Sequence, residues 1–288
     1  MKNGVGKPLL TLVWVILYLS MLFCAFQPGA VEAAADQEVI NAAGNAPSML
    51  SLAKETENPI ADVEYIRLQY DTFTGGALGN KTMSVVNLQP SFSTHLNKDW
   101  NLITKAVIPF ISAPTPEGRK YAVGDSLVTM FFSPRTTGAT IWGIGPTMQF
   151  PTATKASLGA KSFGIGPAAA IIKQNKQWIY GARMTYMHRV GKAPNNIDTN
   201  LFTIQPIVNY SIPGGKGLSI SFNPLISCDF SRKPGDRWLV PLGLQINQVI
   251  KTENRPISID IGIYKNVTRT SSAPEWNYRF QLTFLLPK

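Results

Sequence analysis

Three features of the sequence predict an all-β protein, a twelve-stranded antiparallel transmembrane β-barrel of the outer-membrane type. Apolar and polar residues alternate with period two over long segments, the connections between segments alternate in length, and tryptophans recur at segment starts on the apolar face. Composition agrees. Of 288 residues 44% are hydrophobic and only 15% charged, against roughly 25% charged in soluble domains, as expected where much of the surface meets lipid. Glycine shows no three-residue period, and 2 cysteines are too few for a disulfide scaffold. Lys and Arg total 27 against 17 Asp and Glu, a net charge of +10. These charges come singly between apolar runs with no basic stripe, so nucleic acid is not an expected partner.

The chain opens with Lys2 and Lys7, an apolar stretch from Leu9 to Phe26, and a small-residue run ending in Ala33, Ala34 and Ala35. Residues 1–35 read as a secretory signal peptide cleaved near residues 33–35. An uncleaved anchor is the alternative, since the stretch sits at the threshold length for a spanning helix. Phe23 before Cys24 argues against a lipoprotein signal. The remaining cysteine, Cys228, is expected to be a small apolar filler in an outward strand position. Residues 36–61 are polar and Ala-rich and lack alternation. There Ser48 is placed to cap a short helix through Lys54 before Asn58-Pro59 stops it, either in the periplasm or as a plug in the lumen.

Residues 62–288 form the expected barrel. Alternation is clearest at the end, where Trp276, Tyr278, Phe280, Leu282, Phe284 and Leu286 share one face and Asn277, Arg279, Gln281 and Thr283 the other. The twelve predicted strands span 63–73, 82–95, 99–111, 124–133, 139–151, 162–172, 177–189, 200–212, 217–230, 237–250, 256–267 and 275–287. Connections after even-numbered strands are short. Those after odd-numbered strands are mostly longer, including 112–123, 152–161, 190–199 and 268–274, with 231–236 an undersized exception. Short periplasmic turns and long outer loops place both barrel ends on the periplasmic side. Trp100, Trp142, Trp178, Trp238 and Trp276 begin strands, three beside short turns and two beside long loops, the pattern of two aromatic girdles. A soluble β-sandwich is the alternative fold, with those tryptophans as its core. Pro90, Pro109, Pro146, Pro167, Pro206, Pro224 and Pro241 fall inside the segments, where proline cannot donate to a ladder.

Several short motifs carry a resemblance. They include Asn58-Pro59-Ile60-Ala61-Asp62, Leu88-Gln89-Pro90, Trp100-Asn101-Leu102-Ile103-Thr104, Val107-Ile108-Pro109, Gly124-Asp125 and Phe131-Phe132-Ser133-Pro134. Trp142-Gly143-Ile144-Gly145-Pro146, Phe150-Pro151-Thr152-Ala153-Thr154, Gln205-Pro206-Ile207-Val208-Asn209-Tyr210 and the closing Arg279-Phe280-Gln281-Leu282 and Pro287-Lys288 continue it. In this order, over residues 48–288, they resemble the bacterial outer-membrane transporter-like family catalogued under the MetA pathway of phenol degradation, some members of which carry the misnomer neuromedin U. The resemblance implies an outer-membrane barrel with a part in taking up aromatic or other hydrophobic compounds, and no catalytic residues. Phe163 to Pro167 repeats the aromatic-Gly-Ile-Gly-Pro of Trp142 to Pro146. Both lack the third glycine and the helix of a dinucleotide loop, and read as neighbouring strands.

The face opposite the apolar one is expected to line a lumen: Arg67, Gln69, Asp71, Gln89, Lys105, Gln149, Arg183, Arg189, Asp229, Gln245, Asp260 and Arg279. Ionisable groups at membrane depth need water or a partner. The mixed signs predict no strong ion selectivity, and side chains paired across a narrow barrel are an equal alternative to a pore. Loop residues Arg232, Lys233 and Arg237 suit lipopolysaccharide phosphates. Ser93 and His95 share one face, as in a lipid-hydrolysing barrel, but near the wrong end, and His188 has no serine nearby. No oriented base or oxyanion donors are apparent, and two histidines leave no metal cluster. The expected protein is therefore a passive channel for small-molecule solutes with no cofactor, partnered by outer-membrane lipid, periplasmic chaperones and the barrel-assembly machinery. A non-conducting structural or surface-binding barrel is the alternative.

Overall fold

The computed structural model describes residues 49–135, 138–191, 200–252 and 255–286. The expected signal peptide and the Ser48 cap lie outside them. A helix, α1 (Met49–Glu57), leads into fourteen strand segments. They are β1 (Glu64–Thr74), β2 (Thr82–His95), β3 (Trp100–Thr115), β4 (Gly118–Val123), β5 (Ser126–Pro134), β6 (Thr140–Phe150), β7 (Phe163–Asn175) and β8 (Trp178–Val190). The rest are β9 (Asn200–Ser211), β10 (Leu218–Phe222), β11 (Ile226–Asp229), β12 (Trp238–Lys251), β13 (Pro256–Thr268) and β14 (Trp276–Leu286). Segment β4 runs on into β5 through Gly124-Asp125, and β10 into β11 through Asn223-Pro224-Leu225, so the segments make a closed antiparallel barrel of 12 strands. No described helix is long and apolar enough to cross a membrane.

Closure is made by β1, which pairs along its length with both β2 and β14, so that Leu68 faces Leu88 on one side and Leu282 on the other. Pairing last to first leaves no edge, and an edge in hydrocarbon would expose unpaired N–H and C=O groups. The alternation fixes which way each strand faces. On β13 and β14 Ile261, Ile263, Tyr278 and Phe280 are exposed outward, while Ser258, Asp260, Gln281 and Thr283 are buried inward. An exposed apolar wall around a buried polar interior is the inverse of a soluble sandwich.

One expected loop is strand. Residues 112–123 continue the β3 ladder to Thr115 and return as β4, with Thr115 opposite Gly118. The turn Pro116-Glu117 is thus the tip of a hairpin extending from the barrel rim. Period-two alternation is lost there because both faces meet water, which is why the pattern hid the strands.

Five of the seven internal prolines share one explanation, while Pro224 lies in the gap between β10 and β11, where both ladders lapse, and Pro241 at a register shift. A strand residue directs its N–H to one neighbour only, so a proline removes a donor from one ladder and leaves the other whole. Pro90 keeps its pairing to Ile66 on β1, and the β2–β3 ladder is interrupted there. Pro146 and Pro167 face each other, and the breaks fall on their outer sides, against β5 and β8. Pro109 keeps Asn87 on β2 and receives Gly124 N–H on its carbonyl where β4 gives way to β5. Pro206 keeps Ala182 on β8, while its other ladder lapses at the Pro224 break between β10 and β11. Pro241 sits at a register shift in the β12–β13 ladder.

Glycines accompany these breaks because backbones approach closely. A Cβ on Gly166 would lie 1.8 Å from the Tyr186 carbonyl oxygen, and one on Gly145 2.1 Å from that of Met130, whereas Gly138 has open space. Gly166→Ala is therefore expected to destabilise the barrel by about 1–3 kcal/mol, and Gly138→Ala to be neutral. Urea unfolding followed by loss of heat-modifiable migration checks both.

Candidate functional site in the barrel interior

The interior divides by depth and by side. Near the short turns of β3 to β9 a group of inward residues is apolar: Ile103, Phe131, Ala170, Ile172, Ile179 and Ile207 close around Ile60, the residue that follows Pro59. The expectation of a uniformly polar inner face is thereby corrected. Apolar residues fill both faces at these strand ends, as in Leu102-Ile103, Phe131-Phe132, Ile171-Ile172 and Ile207-Val208, and such doublets are the sequence signal that alternation alone overlooks.

Above this seal lies α1, longer than expected by three residues and touching β9, β12 and β13. Its Leu52 joins Tyr65, Val249 and Leu285 in a second apolar cluster. Cations hold its C-terminal end, where carbonyls lack helical partners and the dipole is negative. Arg67 Nη2 donates to the Thr56 carbonyl (2.8 Å), and Lys105 Nζ to that of Pro59 (3.1 Å). Asn58 folds the chain back by accepting Ile60 N–H on its Oδ1 (3.0 Å). Asp62 then accepts Ser93 Oγ–H (2.6 Å) and meets His95 Nε2 (2.9 Å). Residues 49–62 thus occupy the interior at the short-turn end.

The inner face of β9 to β14, with β1 and β2, is a packed polar belt. Gln89 donates to Gln69 (2.9 Å), Gln69 to Asp71, and Arg279 Nε to Asp71 (2.8 Å), the last pair nearly buried. Arg279 also lies over the Tyr264 ring at 5.1 Å, and the Tyr264 hydroxyl donates to Asn223 (2.7 Å) and Gln245 (3.3 Å). Gln245 continues to Asn247 (2.7 Å), and Asn247 and Asn209 share Ser219 and Ser221. Asp260 accepts from Ser258 (2.7 Å) and Gln281 (2.9 Å). On this side the groups fill the barrel.

The inner face of β3 and β6 to β9 is looser. Above the seal Lys105, Gln149, Arg183, Arg189 and Gln205 remain partly accessible. Gln149 and Arg189 lie toward the long-loop end. Asp229 belongs to the rim, held by Ser231 and by Arg232 Nε (3.1 Å). Arg232 also pairs with Asp236 (3.2 Å), so its charge is satisfied within the rim.

The tryptophans fall in two tiers. Trp100, Trp142 and Trp178 follow short turns and Trp238 and Trp276 long-loop ends. Trp100 and Trp142 meet edge to face at 6.0 Å, and Lys265 sits over Trp276 at 5.1 Å. Cys228 is an outward position as expected, covered between its cross-strand neighbours Phe202 and Trp238.

Ser93 and His95 both bond to Asp62, and this arrangement gives the serine no histidine base. Among the described residues no cluster of His, Cys, Asp or Glu could hold a metal ion.

The barrel is similar to that of an outer membrane channel from Pseudomonas putida F1, at 16% identity and TM-score 0.59, over 80% of this chain and 97% of that one. Matches of lower TM-score include the NanC porin (0.47, 13% identity, 77% and 100% covered) and outer membrane phospholipase A of Escherichia coli (0.43, 9%, 84% and 98%). No family model and no curated protein matches the sequence. The fold is that of an outer-membrane β-barrel.

Glu57, in the last turn of α1, is buried, with Oε2 accepting weakly from Ser221 (3.3 Å) and Asn223 (3.4 Å) and Oε1 unpartnered among the described residues. Burial, then the Asp260 carboxylate, push its pKa from 4.5 up to about 7 against the opposing pull of Arg67. The raised value means the docked helix holds a proton that a released helix gives up. Docking is accordingly strongest below about pH 4.5 and weakens as pH rises through about 7. A nitroxide on Lys54→Cys is expected to gain mobility across that interval, and Glu57→Gln to abolish the gain.

Proposed function

We propose that the protein is a passive outer-membrane channel for small molecules, with residues 49–61 forming a plug segment at the periplasmic end. The observation that carries this reading is the asymmetry of the interior. One side is a closed hydrogen-bonded belt, and the other keeps accessible Lys105, Arg183 and Gln205 above the plug. A barrel serving only as a wall has no need of an inward guanidinium, that of Arg183, with no acid paired to it among the described residues. Of the expected lining residues, Arg67, Gln69, Asp71, Gln89, Gln245, Asp260 and Arg279 build the belt and dock the plug. Lys105, Gln149, Arg183 and Arg189 line the remaining path, and Asp229 shapes its outer mouth.

The two tiers of tryptophan serve as interfacial girdles, with short turns in the periplasm and the β3–β4 hairpin outside. The resemblance to the MetA-pathway family supports small aromatic or hydrophobic cargo. The Ser93–Asp62–His95 contacts tie the plug to the wall and support a non-enzymatic reading.

Planar-bilayer recording tests the proposal. Chains beginning at residue 36 are expected to give small or infrequent steps, and chains beginning at Asn58, which lack α1, larger and steadier ones. Silence from both, with a heat-modifiable folded band, would exclude an ion-conducting pore and favour a structural barrel, which the packed belt would suit.

A further inference from the structure

Four carboxylates of the interior accept hydrogen bonds from other groups. Asp71 is paired with Arg279, Asp260 with Ser258 and Gln281, Glu57 with Ser221 and Asn223, and Asp62 with Ser93 and His95. Arg67 spends its donors on Thr283 (2.9 Å) and the Thr56 carbonyl (2.8 Å). Lys105 and Arg183 are left without an acid. Across the sheet Lys105 is flanked by Ser91 and Thr129, and Arg183 by Ala170 and Gln205. Both lie on the inward face of their strands, and Lys105 Nζ and the Arg67 guanidinium each lie 5.2 Å from the centre of the Tyr65 ring. Among the described residues nothing hydrogen-bonds or ion-pairs to the Arg183 guanidinium.

Lys105 and Arg183, two inward cations with no carboxylate paired to either among the described residues, carry a cost in a low-dielectric interior that is normally met by a counter-charge. A guanidinium fork with a lysine beside it is the donor set for a carboxylate or similar small anion. The expectation of weak selectivity, drawn from counting mixed signs, changes once the acids are seen to be engaged elsewhere.

Resting on the channel reading above, we propose that Lys105, Arg183 and the Tyr65 hydroxyl form an anion-binding step in the lumen above the plug, and that the cargo is a small anionic solute. Lys105 also holds the Pro59 carbonyl, so an anion arriving there competes with the plug for the same ammonium.

Two measurements test it. In a potassium chloride gradient across a bilayer, the chain beginning at residue 36 is expected to prefer chloride. Arg183→Gln lowers the chloride-to-potassium permeability ratio about fivefold, Arg183→Lys retains most of it, and Lys173→Gln, on the outward face, leaves it unchanged. In bromide-soaked crystals, anomalous density is expected between Lys105 Nζ and the Arg183 guanidinium, and none in Arg183→Gln. Conductance with a ratio insensitive to Arg183→Gln, or crystals of the parent protein without the bromide peak, overturns the anion step and leaves the pore standing. A bromide peak in a protein that never conducts upholds the site and sinks the pore.

Discussion

Everything in this barrel depends on the requirement that each backbone donor and acceptor at membrane depth find a partner in the protein. Hydrocarbon offers none, so the sheet closes through β1 and β14, and its side chains sort by alternation into an apolar wall and an interior. The prolines show how much freedom that rule leaves. Pro90, Pro109, Pro146, Pro167 and Pro206 each cost one ladder and spare the other, and the face-to-face pair Pro146 and Pro167 places its two gaps on opposite sides of one intact ladder. Glycines such as Gly166 let the backbones approach where the ladder lapses.

Once the wall is set, the interior must neutralise its own polar groups, and it does so unevenly. Amides, hydroxyls and one nearly buried ion pair saturate each other around β9 to β14, and α1 is docked on that saturated side. Its carbonyl end is held by cations of the wall, and Ile60 completes an apolar ring below. The polar docking contacts are individually modest, as the proposed displacement of the segment requires. The same lysine that steadies the plug belongs to the proposed anion step, so occupancy and opening are coupled through one side chain.

Much of this was legible in the sequence, because lipid imposes a period that a chain either obeys or breaks. The span 82–95 coincides with β2, and the inward and outward sets of β13 and β14 read directly. Where the environment is not lipid against water the pattern failed. The β3–β4 hairpin extends from the rim and loses alternation, and the apolar doublets near the short turns have protein on one side and lipid on the other. Twelve inward residues were nameable from parity. Their division into belt, helix anchors, rim and the looser side was not, because Asp71 with Arg279 or Asp62 with His95 are partners brought together only by closure and by the returning N-terminal segment.

The docked position of α1 in the lumen is the central claim, and bridging it to the wall tests it most directly. Leu52 and Val249 lie in one apolar cluster, so Leu52→Cys and Val249→Cys together are expected to join efficiently under a short reducible thiol cross-linker. The joined protein is expected to be silent in a bilayer until the linker is reduced. Failure to join, or conductance unaffected by joining, would contradict a plug held at this site.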